Sequence, residues 1–245
     1  MRLSDKTILI TGGTSGIGYA LGVELLKKNN KVILLGRDSA KLIHARNEGF
    51  QTIQCDLSKQ RDIEMAALKI QNEFSDLDVL FNNAGVQYNY LFTSTVIPLD
   101  KIQNEITINL TGQILLTQLL IPILSNSQSA LIVNTTSGLG AFPKMDGLVY
   151  SASKAAMRSF TIGLKYALKD ANINVVEFIP PVTDTSMTID RNEGKMPVAE
   201  LIQIVLPQLE RGKGIIAPFK MRIFLWIAFL FPSLANRILG RQGNR

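Results

Sequence analysis

The 245 residues, 46% hydrophobic and 19% charged, suffice for one large domain or two small ones with a sizeable core, and exclude a disordered chain. A single cysteine, Cys55, excludes an intrachain disulfide framework and a cysteine-built zinc site. The net charge of +6 sits in residues 211–245, which hold Arg211, Lys213, Lys220, Arg222, Arg237, Arg241, Arg245 and no acid; the first 210 residues carry 19 cations against 20 acids, which argues against nucleic-acid binding by the main fold.

The opening "MRLSDKTILITGG" is too short and too polar before its first apolar run for a signal peptide. Asn-x-Thr sequons begin at Asn109 and Asn134, both inside apolar segments, so we expect an unglycosylated, cytoplasmic protein. Strands are predicted at 7–11, 31–35, 50–55, 77–83, 130–136 and 173–179, with 214–218 as a candidate seventh. Helical patterns fall between them at 17–28, 38–47, 58–74, 99–120, 150–169 and 197–210. Several strands are apolar at consecutive positions, as in strands covered on both faces. Regular strand–helix alternation predicts an α/β fold with a doubly wound parallel sheet of six or seven strands. The simplest organisation is one domain, 1–218, with an appended apolar and basic segment, 219–245.

The first strand runs into "TGGTSGIGYAL", where Gly12, Gly16 and Gly18 give G-x-x-x-G-x-G before a helix. Glycine there lets the backbone approach a pyrophosphate, and the helix N-terminus presents N–H groups to it. After the second strand, about 20 residues past the loop, such folds meet the adenosine ribose. Arg37 stands there; its planar guanidinium suits a 2′-phosphate and favours NADP(H) over NAD(H), although Asp38 follows and a solvated arginine is the alternative. Cys55, beside apolar Ile53, reads as a small core residue. His44 lies in a polar helical stretch and is expected to face solvent. Ser137 follows the fifth strand, at the carboxyl edge where open sheets bind ligands, and without a histidine partner it does not suggest a hydrolase triad. Its hydroxyl could donate to a carbonyl oxygen, or cap a loop.

In "VYSASKAAM", Tyr150 and Lys154 stand four apart on one helix face. A free phenol, with a pKa of about 10, is a poor catalyst near neutrality. A cation about 4 Å away is worth roughly 4 kcal/mol to a phenolate at an effective dielectric near 20. That equals about three pKa units before desolvation opposes it. We therefore expect Tyr150 to exchange a proton, with Lys154 acidifying it.

These motifs resemble the short-chain dehydrogenase/reductase family. "TGGTSGIG", the "CDL" after the third strand, "NNAG" (Asn82 to Gly85), Asn109 in "ITINLTG", Ser137 and "YSASK" fall in the family's order and spacing over about residues 5–185. The resemblance implies that Tyr150 is the general acid in reduction. Lys154 would lower its pKa and bind a ribose, Ser137 orient the carbonyl, and Asn109 hold a water in a proton relay. It implies a cofactor seat on Gly12, Thr14, Ser15, Gly16, Ile17 and Gly18. Asp56 and Leu57 would border the adenine, Asn83 the adenosine ribose, and Ala84 and Gly85 complete that wall. Asn109 could instead tie helix to strand, and Asn82 and Asn83 could be turn residues.

One departure stands out. The family usually has Pro-Gly after the sixth strand; "FIPPVTDTSM" has Pro181 in the glycine position, so that loop must be built differently or more stiffly. Thr183 and Thr185 still fit positions near the nicotinamide carboxamide. "PPVTDTSM" and "RNEGKMP" resemble a bacterial subgroup of the family associated with D-alanine esterification of teichoic acids, which does not specify a substrate.

The tail "MRIFLWIAFLFPSLANRILGR" has a fourteen-residue, mostly apolar run between Arg222 and Arg237, broken by Pro232. A spanning helix needs about 20 residues. The tail either lies on an anionic membrane surface at the inner face or covers the substrate pocket or a second subunit. The family implies a homodimer or homotetramer through the helices at 99–120 and 150–169. The sequence thus predicts an NADP(H)-dependent oxidoreductase acting on a small-molecule ketone, aldehyde or alcohol, without metal. The alternatives are a cofactor-binding protein that engages a membrane or partner through its tail, and reduction of an acyl group on a carrier protein.

Overall fold

The computed structural model describes residues 2–93, 96–231 and 233. Seven parallel strands form one sheet in the order β3-β2-β1-β4-β5-β6-β7. They are β1 (Thr7–Thr11), β2 (Lys31–Gly36), β3 (Gln51–Gln54), β4 (Leu77–Asn82), β5 (Ala130–Thr135), β6 (Ile173–Phe178) and β7 (Ile215–Ile216). The helices are α1 (Gly16–Leu26), α2 (Ser39–Asn47), α3 (Gln60–Glu73), α4 (Leu99–Ile106), α5 (Gly112–Leu124), α6 (Leu148–Ala167), α7 (Val198–Glu210) and α8 (Phe219–Leu230).

The consecutive apolar runs arise because both sheet faces are covered. Ile8 and Ile10 of β1 point to one core with Leu21 and Leu25 of α1 and Val205 of α7. Leu9 points to the other, with Ile63 and Ile70 of α3 and Leu116 and Leu120 of α5. The same alternation recurs in β2, where Val32 and Leu34 face the first core and Ile33 and Leu35 the second. The strand order reverses at β1, which pairs with β2 on one side and β4 on the other. A crevice opens beyond the carboxyl ends at such a switch point.

The predicted helix at 99–120 is interrupted. A π-helical turn, Thr107–Thr111, joins α4 to α5, the kind of bulge that gathers at functional sites. Leu99–Leu124 is long and apolar enough to cross a membrane by length and composition. Its Glu105, Asn109, Gln113 and Thr117 are fully buried, which makes it a core element of the sheet. Thr117 Oγ1 accepts from Asn82 Nδ2 at 2.8 Å, Asn82 Nδ2 also donates to Asn134 Oδ1 at 2.8 Å, and Asn134 Nδ2 donates to Thr161 Oγ1 at 3.0 Å. This ladder ties α5, β4, β5 and α6 together. Asn109 and Asn134, the sequon residues, are wholly buried, so neither side chain can carry a glycan. Burial pushes the Cys55 thiol up to about 12, as befits an inert core residue. His44 is exposed, 3.5 Å from Glu48. Of the tail, α8 is described; Pro232, Arg237, Arg241 and Arg245 lie outside the described residues.

Candidate active site

A cleft of ≈ 550 Å³ opens at the switch point, floored by the turn between β1 and α1. Gly12 and Gly16 hold φ of +61° and +54°, which side-chain-bearing residues rarely adopt. A Cβ on Gly12 would lie 2.8 Å from Ala84 Cα, and one on Gly18 would lie 2.6 Å from Gly12 O. The turn is therefore pressed against the "NNAG" segment, leaving the first turn of α1 open and free of acidic side chains. Every residue expected to hold the cofactor lines this cleft except Gly18, which packs beneath the turn, and Thr183. Asn83 is also a structural tie: its Nδ2 donates to Thr11 O at 3.1 Å and its N–H to Thr11 Oγ1 at 2.9 Å.

At one end of the cleft stand Arg37, Asp38 and Lys41, all exposed. Asp38 is the N-cap of α2, its carboxylate accepting from Lys41 N at 3.1 Å. Asp56 is partly buried, which pushes its carboxyl up, but the Ser58 N–H and hydroxyl, with Arg37 and Lys59, outweigh burial and hold it below its ordinary value. The glycine cradle, the uncluttered helix N-terminus and this basic end fit a dinucleotide whose pyrophosphate meets α1 and whose adenosine meets Arg37.

The other end is formed by α6 and the ends of β4 and β5. Tyr150 and Lys154, one turn apart on α6, are both buried. Lys154 Nζ donates to Thr135 O at 2.8 Å and lies 5.8 Å from the Tyr150 ring centroid. Burial lowers the Lys154 ammonium to about 8. Tyr150 moves the other way from the expectation. Burial raises its pKa and outweighs the hydrogen bond with Ser137 and the Arg191 charge, both of which lower it; the Glu105 carboxylate adds to the rise. Lys154 Nζ lies over the ring, and desolvation is the largest influence on both groups. Tyr150 therefore keeps its proton at neutral pH.

Ser137 does two things. It shares a hydrogen bond with Tyr150, and its Oγ accepts from Leu139 N at 3.2 Å to cap the short turn Gly138–Gly140. Asn109, placed by the π-helical turn, lines neither cavity. Its Oδ1 accepts from Val86 N at 2.8 Å, and its Nδ2 donates to Val86 O at 2.9 Å and Ser153 Oγ at 3.1 Å. The side chain thus ties the "NNAG" strand end to α6.

A second chamber of ≈ 280 Å³ adjoins the cleft. Ser137 and Thr183 line it, and Tyr150 lines both spaces. The structure parts Thr183 from Thr185: Thr183 Oγ1 donates to Pro181 O at 2.9 Å, whereas Thr185 borders cleft and chamber and caps the turn Ser186–Thr188. The Pro180-Pro181 loop is pinned by Met196, whose N–H donates to Val182 O and whose O accepts from Asp184 N, each at 2.9 Å. Three chamber residues carry charge: Lys144, Arg191 and Glu193. Sequence reasoning did not single these out, nor Lys41; the only trace was the motif "RNEG", seen as a subgroup mark. Helix α8 closes the chamber with Met221 and Phe224, the latter edge-on to Phe142 at 5.3 Å between centroids. The opposite face of α8 leaves Phe219, Trp226 and Phe229 exposed.

A glycine cradle at the switch point of a parallel sheet, with a buried tyrosine and lysine at its far end, defines an oxidoreductase built for a nicotinamide dinucleotide. Residues 6–196 match the model of the short chain dehydrogenase family, and the chain belongs to that family. It is 34% identical over 222 residues to an uncharacterised oxidoreductase, DltE, of Bacillus subtilis, covering 87% of this chain and 88% of the relative. Two solved structures share the fold. A short chain dehydrogenase from Burkholderia cenocepacia in complex with NADP superposes with a TM-score of 0.87 at 22% identity, over 98% of this chain and 99% of that one. One from Burkholderia phymatum in complex with NAD superposes with a TM-score of 0.81 at 20% identity, over 94% and 96%.

Proposed function

We propose that this protein is an NADP(H)-dependent reductase of a small ketone or aldehyde, with Tyr150 as the proton donor. The observation that carries this is the position of Tyr150. Among the described residues it is the one titratable residue that borders both the dinucleotide cleft and the chamber. A carbonyl held in the chamber meets the Tyr150 hydroxyl on one side and the cleft on the other.

When bound, the reduced nicotinamide supplies a hydride to the carbonyl carbon. Everything else falls to the chain. The Tyr150 hydroxyl, which retains its proton at neutral pH, donates to the carbonyl oxygen as negative charge develops there, and Ser137 Oγ orients that oxygen. Once Tyr150 has given up its proton, the Lys154 ammonium and Arg191 stabilise the phenolate. Asn109 holds Val86 and Ser153 in place with its side chain. Preference for NADP(H) is supported by the basic end of the cleft, where Asp38 is committed to capping α2 while Arg37 and Lys41 stay free to meet a 2′-phosphate.

The test is a screen of carbonyl compounds followed by NADPH oxidation, with NADH in parallel. Turnover with NADPH at least about tenfold above that with NADH is expected. Cofactor binding with no compound consuming NADPH would place the chain among cofactor-binding proteins without catalysis.

Lys154 sets a pH dependence. In the free protein burial holds its ammonium at about 8. Ribose hydroxyls accepting from Nζ favour the charged form, so cofactor binding raises that pKa. Below pH 8 the lysine is charged in both states and affinity is flat. Above it the free protein loses the proton that the complex keeps, and NADPH affinity falls by up to about tenfold per pH unit. Fluorescence titration between pH 7 and 9.5 should show this fall, and Lys154→Met should flatten it. A flat wild-type profile would remove Lys154 from the cofactor site.

A further inference from the structure

The chamber contains a buried cation with an unmet hydrogen-bonding demand. The Arg191 side chain is nine-tenths buried, 10% exposed. Nη2 donates to Gln87 Oε1. Nε is buried and has no hydrogen-bond partner among the described residues. Glu193 Oε1 stands 3.7 Å from Nη1 and 3.6 Å from Lys144 Nζ, beyond hydrogen-bond length for both. Lys144 has a second acid at 3.5 Å, Asp146, which lies outside the chamber lining. Among the described residues the lining thus carries two cations and one acid, and Arg191 has Gln87 as its close acceptor and Glu193 as a looser one.

We infer that the substrate carries a carboxylate seated on the Arg191 guanidinium, so that the chamber interconverts a small oxo acid and the corresponding hydroxy acid. A carboxylate presents two coplanar acceptors that match the forked N–H donors of a guanidinium, the geometry for which arginine is suited. A neutral ketone in the chamber would leave the buried guanidinium with no anionic partner nearer than Glu193 at 3.7 Å. At ≈ 280 Å³ the chamber lies at the small end of ligand pockets, and Leu139, Met187 and Phe224 leave an apolar wall for a short chain. The reaction balances as the reductase reading requires. The carbonyl carbon gains hydride from the reduced cofactor, the oxygen gains the Tyr150 proton, and the carboxylate emerges unchanged. Arg191 also favours negative charge on Tyr150, which puts the two groups within electrostatic reach of each other.

This inference rests on the reductase reading, and two measurements separate their failures. The first compares acetoacetate with methyl acetoacetate, an acid and its neutral ester, by NADPH oxidation. The wild type should favour the acid in kcat/KM by at least about tenfold, Arg191→Met should bring that ratio to about one, and Arg191→Lys, which keeps the charge without the fork, should restore part of it. The second is calorimetric titration of malonate into the NADP⁺-saturated protein, where Arg191→Met should raise Kd about tenfold or more. Malonate binding that depends on Arg191, without turnover of either carbonyl, leaves the anion seat standing and removes the reductase reading. Reduction of the ester at least as well as the acid, or malonate binding indifferent to Arg191, overturns the seat. Should Arg191→Met not fold, the wild-type acid-to-ester ratio and the Arg191→Lys titration decide.

Discussion

Tyr150→Phe should lower kcat for NADPH-dependent reduction by about 10²–10⁴-fold, the range a positioned proton donor contributes, while NADPH Kd stays within about twofold. The asymmetry follows from where the hydroxyl stands. The ring is buried against the Lys154 ammonium, and that contact survives in phenylalanine. Only the oxygen is lost, from a side chain that borders cleft and chamber together. Ser137 loses its hydroxyl partner but keeps the Leu139 N–H, so the capped turn persists. The cost in stability should be about 1 kcal/mol, the net worth of one hydrogen bond. Stopped-flow reduction, fluorescence titration and a melting curve separate these effects. A variant that retains kcat within tenfold would show that the proton comes from elsewhere and would remove the central claim of the reductase reading. Because burial raises the Tyr150 pKa in the free protein, the hydroxyl starts protonated, which suits donation in reduction. Oxidation of an alcohol needs the phenolate and should accelerate as pH rises, the opposite sign.

The fold was legible because its signals are local and mutually consistent. The central strands are short apolar runs whose alternate residues enter two cores, and they lie between helical patterns, so parallel order followed from chain order. The site was legible where the chain itself encodes the spacing: Tyr150 and Lys154 by the helical repeat, the glycine turn by its place between β1 and α1. What stayed hidden depends on neighbours distant in sequence. The π-helical turn at Thr107–Thr111 keeps a helical pattern to the eye, yet it carries Asn109 to Val86 and Ser153. The sign of the Tyr150 shift needed burial as well as spacing. Spacing sets the attraction between phenolate and ammonium, and only the packed structure shows that desolvation exceeds it. Arg191 reaches the chamber from a loop with no periodicity, 104 residues from its Gln87 partner. The tail held two alternatives open; Met221 and Phe224 of α8 line the chamber, while its Phe219, Trp226 and Phe229 stay exposed.

The second large effect concerns the choice of cofactor. Replacing both Arg37 and Lys41 with alanine should raise the Kd for NADPH by about 10²-fold and leave the Kd for NADH within about threefold. A hydrogen bond to a charged group contributes about 1.5–3 kcal/mol, and a 2′-phosphate facing two cations would lose two of them. At this exposed end of the cleft solvent screening takes the low end of that range, about 3 kcal/mol in sum, which is the predicted factor. The bound NADH ribose has a free 2′-hydroxyl that needs neither cation. The side chain that could serve it, Asp38, is held by the Lys41 N–H at the start of α2, and that backbone contact remains after the Lys41 side chain is removed. The effect should also shrink with added salt, since both cations are exposed, whereas a fault in the glycine cradle would weaken both cofactors equally at any ionic strength. Equal weakening of NADPH and NADH would locate the loss in the fold of the β2–α2 turn, and an unchanged NADPH Kd would show that the basic end does not meet the phosphate.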